Sequence, residues 1–458
     1  MQSRQPADLL IEARWVLPVA PRCEPLPQHA VAVAAGRILA LGPTALMRER
    51  FAPRERVVRG EHALLPGFVN AHTEAALVLL RGQLAQAQPA LPLGVADAAR
   101  EPPPTDWMSA ELVRDGTRIA LAQMLRAGIT CVASDGAFPE ETARVLSAAR
   151  MRASIGLPIA HGAGAGAAEV GAQLASAERL WDEYRASPWL NLHFAPGDSV
   201  ALTEAALARV RTVADELDAR IAMPVHASRT EIELSVARAG VRPLERLAAL
   251  GLLRPGFLAL HMNHLSGEDL ELAARTGIAV VTCPQAGLYQ GHGASPLREL
   301  LERGVPVGLG SGSPAHAGAL DLLAEARTAA LVAGSAGAPA LDAEAVLRLA
   351  TLGGAMALGL AAVAGSIEPG KAADLITIDV GALSSQGGTQ PAEAVLYGAT
   401  REHVSDVWLS GNAAVSQGRL LAFDEQELSA LRRSWSERLN APWSASYAPA
   451  QARLGDWQ

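Results

Sequence analysis

Two polar side chains follow an apolar run in the first quarter of the chain, and both are of types used in metal and acid–base chemistry. The run begins at Leu64 and ends in His72 and Glu74. On a β-strand, residues two apart face the same side, so this pair would point together beyond the end of the strand. A histidine and a carboxylate can ligate a divalent metal, or they can exchange protons with a bound substrate.

Two further histidines follow apolar runs later in the chain. His226 and His261 each come directly after such a run. If these runs are strands that end at one rim, both histidines would join His72 and Glu74 in a single pocket. That set would either bind a metal or act as a metal-free acid and base. The condition is that His226 points into the same space as His72.

The elements that would position these residues alternate between strand and helix. Eight apolar segments are predicted as strands: 64–71, 129–134, 152–159, 189–196, 220–227, 257–263, 278–283 and 305–310. Helical patterns lie between them, for example at 108–126, 139–150, 169–186, 202–217, 267–275 and 317–331. Eight β/α repeats with apolar strands predict a parallel barrel, whose functional residues lie at the C-terminal ends of the strands.

Shorter strands, separated by glycine and proline, are predicted at both ends of the chain. We therefore expect an α/β fold: a (β/α)8 TIM-type barrel with a small β-sandwich domain built from both chain ends. The predicted division is 1–62 for the N-terminal half of the sandwich, 63–364 for the barrel, 365–423 for the C-terminal half and 424–458 for a final helix and tail. Residues 83–104, rich in Gln, Ala and Pro, are predicted as a loop on the active-site side of the barrel.

The composition of the chain indicates which kinds of molecule it is poorly suited to bind. The chain has 458 residues, half of them hydrophobic, and a net charge of −8, which argues against nucleic acid or an anionic membrane as partner. No apolar run approaches the length of a membrane span. Cys23, Cys131 and Cys283 are scattered without CxxC spacing, and the N-terminus lacks a signal-peptide pattern. Both features favour a cytoplasmic location without disulfides.

Three motifs carry a family resemblance that covers nearly the whole chain. They are Pro-Gly-Phe-Val-Asn-Ala-His at 66–72, Pro-Leu-Glu-Arg-Leu at 243–247, and Gly-Ser-Ile-Glu-Pro-Gly-Lys-Ala-Ala-Asp at 365–374. They resemble the amidohydrolase superfamily, in particular its S-adenosylhomocysteine/methylthioadenosine deaminases and triazine hydrolases. The resemblance implies a small heterocyclic or nucleoside-like ligand, a zinc-bound hydroxide that attacks it, and a homo-oligomer, either a dimer or a larger assembly.

The chain departs from that family at positions that would hold the metal and the substrate. Glu74 stands where the family has its second metal histidine, and a carboxylate can still ligate zinc. Gly197 replaces a histidine that contacts substrate. Gly312 replaces the metal aspartate on the eighth strand. Neither glycine offers a side-chain donor or acceptor.

The fifth strand allows two alignments. Without a gap, Pro224 falls on the metal histidine and Ala227 on the acid–base glutamate. Otherwise His226 falls on the ligand and Arg229 on the acid. We favour the first alignment because the gapless agreement continues to residue 247, and the second stays open. In both alignments the acid–base carboxylate is missing, and such a group contributes about 10²–10⁴-fold in rate.

Three further residues belong to the predicted pocket. The resemblance implies that His261 faces the reacting atom. Asp198 follows the fourth strand, and we interpret it chiefly as a residue that precedes a helix. His316 follows the eighth strand in a segment that should flank the pocket.

The complete set of expectations is as follows. The predicted ligand pocket contains His72, Glu74, Asp198, His226, His261 and His316. The candidate catalytic residues are His261, Glu74 and His226, and the residual candidates for metal ligation are His72, Glu74 and His226. We expect no cofactor, or at most one divalent metal such as zinc.

Two hypotheses follow for the activity, and the sequence leaves open whether the protein is an enzyme. The first is a pseudoenzyme with a binding or assembly role, in which metal-dependent deamination is lost. The alternative is a hydrolase acting on non-peptide C–N bonds through a rebuilt site of histidine and glutamate.

Overall fold

A computed structural model describes residues 4–81, 108–159, 167–197, 199–200, 202–316, 318–334, 337–382 and 390–446. The predicted loop at 83–104 and the candidate residue Asp198 lie outside these ranges. Within these ranges, no helix is both long enough and apolar enough to cross a membrane.

The strands form two groups along the chain. Four strands open it: β1 Gln5–Val16, β2 Leu26–Ala34, β3 Arg37–Pro43 and β4 Phe51–Pro66. Eight follow in the middle: β5 Phe68–Thr73, β6 Ile129–Ser134, β7 Arg152–Ile159, β8 Leu190–Pro196, β9 Arg220–Val225, β10 Phe257–His261, β11 Ala279–Thr282 and β12 Val307–Leu309. Four more come last: β13 Leu375–Asp379, β14 Val404–Leu409, β15 Asn412–Ser416 and β16 Arg419–Leu420.

The eight middle strands form a parallel sheet in sequence order from β5 to β12. A parallel bridge between Thr73 and Gly312 connects its first and last strands. The hydroxyl of Thr73 also donates to the carbonyl of Gly312 at 2.9 Å. Asn70 extends this closure, because its amide donates to the Ser311 hydroxyl at 2.8 Å. The predicted (β/α)8 barrel is confirmed.

Helices lie between the strands of both sheets and after the last strand. They are α1 Thr44–Arg50, α2 Ala110–Arg126, α3 Pro139–Ala148, α4 Ala167–Tyr184, α5 Glu204–Glu216, α6 Arg229–Ala239, α7 Pro243–Ala249, α8 Gly267–Thr276, α9 Pro284–Tyr289, α10 Leu297–Glu302, α11 Leu322–Gly334, α12 Ala343–Arg348, α13 Gly354–Ala357, α14 Pro391–Glu393 and α15 Glu425–Ser446. Short 3₁₀ turns lie at Ala75–Leu80 and Arg401–His403, and π turns lie at Leu349–Gly353 and Ala394–Gly398. The helix starts follow local sequence signals, as at α8, where Ser266 and Asp269 form a reciprocal capping box.

The strands from the two chain ends form a second eight-stranded sheet, in the order β16-β15-β14-β13-β4-β1-β2-β3. Its centre is the antiparallel pair of β4 and β13, which brings the N-terminal and C-terminal strands together. The expected small domain built from both chain ends is therefore present. A buried ion pair ties it to the barrel, because Nε of Arg152 lies 2.9 Å from Oδ2 of Asp374.

The passage between the two sheets corrects the predicted first barrel strand. Residues 64–71 were expected to form one strand, but β4 ends at Pro66 and β5 begins at Phe68. The break is Gly67, where an added Cβ would lie 2.0 Å from Oγ1 of Thr130. Leu64 therefore belongs to the second sheet, and β4 continues past residue 62. The domain limits given above remain a proposal.

Candidate functional site at the mouth of the barrel

Asp135 joins two histidines at the C-terminal ends of the first barrel strands. It directly follows β6, and its Oδ2 lies 3.2 Å from Nδ1 of His72, which is on β5. Its Oδ1 accepts a hydrogen bond of 2.8 Å from Nε2 of His193 on β8. The side chains of His72 and Asp135 are only 11% and 12% exposed. The carboxylate therefore holds both rings in a largely water-free environment.

The same hydrogen-bonded chain continues away from the mouth. Ser154 on β7 lies 2.9 Å from Nδ1 of His193, whose Nε2 faces Asp135. A carboxylate accepts only, so Nε2 of His193 carries the proton and Nδ1 accepts from the serine hydroxyl when the ring is neutral. Gly156 makes room for this arrangement, because an added Cβ would lie 2.1 Å from Oδ1 of Asp135.

The charges of this group reinforce each other. Burial alone would raise the pKa of Asp135, but His193 and His72 hold that pKa well below its usual range. Burial lowers the pKa of His72, yet the hydrogen bond and charge of Asp135 and the charge of half-buried Glu74 outweigh it, so the pKa is raised. Asp135 is therefore an anion that favours the charged form of His72.

His261 faces His72 across the mouth. Their ring centroids are 5.8 Å apart and the rings meet edge to face, at 88°. Burial, together with the charges of His72 and His292, lowers the pKa of His261 to about 3. His261 is therefore a neutral ring at neutral pH. The structure brings together His72, Glu74 and His261 of the residues predicted for the pocket.

His226 lies elsewhere. It is fully buried, and its Nε2 accepts a hydrogen bond of 3.2 Å from the backbone N–H of Leu244 in α7. Its Nδ1 lies 3.5 Å from Oδ2 of Asp269 in α8. The backbone of His226 is left-handed, with φ of +53°. The ring contacts two helices, so the histidine–glutamate set loses its third predicted member.

Pro224 occupies the inward-facing position on β9. It pairs with Leu260, and Ala222, two residues earlier, lies with Leu260 in one buried cluster. Ala227 follows in the turn, where its N–H donates to Oε2 of Glu231 at 2.7 Å. Glu231 also accepts from the N–H of His226 at 3.1 Å, so its carboxylate caps this turn.

The end of the eighth strand carries no side-chain donor at the position of the family's aspartate. Gly312 has φ of +63°, a left-handed conformation that favours glycine. An added Cβ would also lie 3.0 Å from Cβ of Ala286. Cys283 is buried beside it, and burial holds the pKa of that thiol well above its usual range. This agrees with a packed thiol rather than a nucleophile.

The remaining predicted residues fall at the edges of the mouth. Gly197 follows β8, and its N–H donates to the carbonyl of Ile159 at 3.0 Å. His316 is half-buried in a turn after β12, where its N–H donates to the carbonyl of Ser313. Arg229, the acid position in the second alignment, begins α6 and is exposed.

The described donors do not fit the zinc ion that the family resemblance implies. A catalytic zinc site commonly uses three protein ligands and an open position. Among the residues that the structure describes, no group of three His, Cys, Asp or Glu side chains is placed to hold a metal ion. Pro224 and Gly312 offer no donor, and Nδ1 of His72 is engaged by Asp135.

Sequence reasoning missed Asp135, His193 and Ser154. Asp135 had a usable signal, because it is a carboxylate directly after an apolar strand, the same position that singled out His72. His193 and Ser154 lie within β8 and β7, where a polar residue inside a largely apolar strand carries little information about its partners.

Comparison with known proteins identifies the family. The model of the amidohydrolase family matches residues 63–414. The 5-methylthioadenosine/S-adenosylhomocysteine deaminase of Teredinibacter turnerae is 36% identical over 441 residues, 95% of this chain and 98% of the relative. The enzyme of the same name from Saccharophagus degradans is 32% identical, over 96% and 99% of the two chains. The chain belongs to the amidohydrolase family, as its motifs suggested.

Solved structures agree with this assignment. An adenosine deaminase from Xanthomonas campestris, solved with bound zinc, is 39% identical and superposes with a TM-score of 0.91, covering 96% of this chain and all of the other. The atrazine chlorohydrolase of Arthrobacter aurescens superposes with a TM-score of 0.84 over 93% of this chain and all of the other, at 20% identity, which supports the fold alone.

Proposed function

We propose that this protein binds a purine-nucleoside-like molecule at the mouth of its barrel and does not deaminate it by the zinc-dependent route. The ligand class is supported by the names of the curated relatives, which are similar to this chain over almost their full length. The polar groups at the mouth, His72, Glu74 and His261, suit the hydrogen-bonding edges of a heterocycle.

The observation that carries this proposal is the set of side chains on the fifth and eighth strands. In the favoured alignment Pro224 faces inward where the family has a metal histidine, and Gly312 stands in place of the metal aspartate. Ala227 supplies no acid–base group, while His226 is directed at α7 and α8. Without a zinc site there is no activated hydroxide at neutral pH, and without the carboxylate there is no proton shuttle.

A second candidate function is hydrolysis of a non-peptide C–N bond through a rebuilt site, and the comparisons favour it. The most similar proteins described above are named deaminases, and one of them was solved with zinc. In the structure, the Asp135–His72 pair supports this candidate, because a carboxylate that orients an imidazole is a recurrent arrangement in general acid–base catalysis. Glu74 would be the second proton-exchanging group.

One set of measurements on the purified protein separates the two. Metal content would be determined by elemental analysis after growth with zinc, iron or manganese. Ammonia release would be measured with adenosine, 5′-methylthioadenosine and S-adenosylhomocysteine, with the Xanthomonas deaminase as positive control. Binding of the same compounds would be followed by calorimetry.

We expect binding of at least one nucleoside, metal far below one equivalent per chain, and no ammonia release. His72→Gln should weaken binding, and the matched variant His264→Gln, outside the set at the mouth, should not. Near-stoichiometric metal together with ammonia release would establish the hydrolase and refute the non-catalytic proposal. Ammonia release without metal, abolished in His72→Gln, would support the rebuilt acid–base site. Absence of binding by all three compounds would refute the ligand class.

Two expectations from the family resemblance also remain proposals: self-association and a cytoplasmic location. Sedimentation at several protein concentrations tests the first, with a monomer at all concentrations as the contrary result. Fractionation of the source cells tests the second.

A further inference from the structure

We propose that Asp135 is a positioning residue for ligand binding: by holding Nδ1 of His72, it directs Nε2 of that ring at the ligand. This inference rests on the proposed function for its ligand. It assigns a role to a residue that the motifs of the family resemblance do not include.

An imidazole has two ring nitrogens, and the hydrogen bond made by one of them sets the orientation of the other. Oδ2 of Asp135 lies 3.2 Å from Nδ1 of His72, so Nδ1 carries a proton and Nε2 points away from the carboxylate. Among the described residues, no hydrogen bond reaches Nε2 of His72. The ring of His261 lies 5.8 Å away, with the two ring planes nearly at a right angle.

Asp135 is itself held in place by His193 and Ser154. Its other oxygen, Oδ1, accepts from His193 at 2.8 Å, and His193 is 2% exposed. Ser154 in turn contacts the second nitrogen of His193. Both oxygens of the carboxylate are thus engaged, which fixes its plane and, through it, the plane of His72. Because these contacts fix Asp135 on the side away from the ligand, His72 keeps its orientation without a metal on the ligand side.

The absence of a side chain at Gly156 leaves the space that the carboxylate of Asp135 occupies. Gly156 lies below Asp135, and an added Cβ would come within 2.1 Å of Oδ1 and 3.1 Å of Nε2 of His193. Replacing this glycine would move the carboxylate without removing any polar group. Gly156→Ala is therefore an independent way to disturb the same contact.

The experiment measures two properties of the full chain. Histidine rings labelled with ¹⁵N report by NMR which nitrogen carries the proton, and the His72 signals are assigned by their loss in His72→Gln. Affinity for 5′-methylthioadenosine is measured by calorimetry. The variants are Asp135→Asn, Gly156→Ala and, as a matched control, Asp406→Asn, which alters another buried carboxylate in the second sheet.

At a pH where the His72 ring is neutral, we expect the wild type and Asp406→Asn to share one His72 tautomer, protonated at Nδ1, and the same affinity. Asp135→Asn and Gly156→Ala should both change the His72 signals and weaken binding about tenfold or more, the scale at which outer carboxylates act on the histidines they orient. Unchanged His72 signals in both variants would overturn the inference. Changed signals with unchanged affinity would overturn the link to the ligand.

If the wild type binds none of the nucleosides, the proposed function fails, and the inference about binding fails with it. The orientation of His72 by Asp135 is still decided by the NMR signals of the same variants. The two failures are therefore distinguishable. If Asp135→Asn does not fold, Gly156→Ala provides the same test with the carboxylate intact.

Discussion

Glu325 on α11 should make the stability of this protein fall as the pH rises toward 8. Its side chain is fully buried, and Oε1 has no hydrogen-bond partner among the described residues. Oε2 accepts from the backbone N–H of Gln285 at 3.0 Å. Burial raises the pKa of Glu325 to about 8, partly opposed by this hydrogen bond and reinforced by the charge of Asp321. The carboxyl group is therefore mostly neutral at pH 7.

The direction of the effect follows from proton binding. The folded chain holds the proton of Glu325 up to a pH of about 8, whereas the unfolded chain releases it near 4.5. Below 4.5 both states are protonated and the contribution is constant. Between these values the unfolded state binds fewer protons, so the free energy of unfolding falls as pH rises. The interval from 4.5 to about 8, at about 1.4 kcal/mol per unit, sets a ceiling of ~5 kcal/mol.

Glu325→Gln removes this titration and keeps a carbonyl oxygen for the N–H of Gln285. We expect the variant and the wild type to differ little in stability near pH 4.5. As the pH rises to 8, the free energy of unfolding of the variant should come to exceed that of the wild type by several kcal/mol. Urea unfolding at pH 5, 6, 7 and 8 measures the difference. Glu299→Gln, at an exposed position of α10, is the matched control and should follow the wild type. A difference between Glu325→Gln and the wild type that stays constant over this range would refute the reasoning.

Two further predictions concern the fold. Gly67→Ala should destabilise the protein by about 1–3 kcal/mol or more, because its Cβ would lie 2.0 Å from Oγ1 of Thr130. The control in thermal unfolding is Gly60→Ala, whose Cβ meets nothing within 4 Å. Equal melting temperatures for the two variants would contradict the prediction. Arg152→Met should lower the free energy of unfolding in urea by about 3–5 kcal/mol, because Asp374 would stay buried without its partner. A loss no larger than that of Arg303→Met, which breaks an exposed pair, would argue against a stabilising role for the buried pair.

The fold was predictable because the same pattern of strand and helix recurs along the chain. Apolar strands separated by helical patterns predict a parallel barrel whichever single segment is misjudged, and six of the eight strands start within one residue of the prediction, the exceptions being the first and the last. The first strand was misplaced because Leu64 and Val69 belong to one apolar run. The break between them depends on Gly67 packing against Thr130, a contact distant in sequence.

The site was predictable only in part, because side-chain direction at a strand end depends on the backbone of one or two residues. His72 was predicted from spacing and His261 from the family resemblance, and the structure puts their ring centroids 5.8 Å apart. His226 met the same sequence criterion as His261, and both have a left-handed backbone, with φ of +53° and +73°, yet the ring of His226 contacts α7 and α8. Asp135 was passed over because the family's motifs direct attention to zinc ligands. Its role depends on His193, which is 58 residues away in the chain.

The left-handed glycine at the end of the eighth strand has a consequence for the history of this protein. Restoring an aspartate at Gly312 would place a side chain on a backbone with φ of +63° and against Cβ of Ala286. That single reversion would be strained, and it would still leave Pro224 in the place of another ligand, so no zinc site would result. Under the proposed function, each step toward a metal enzyme would thus carry a cost before any advantage appeared. Selection could then not restore the zinc site by single favourable substitutions. The protein would instead keep the function that the mouth of the barrel serves now.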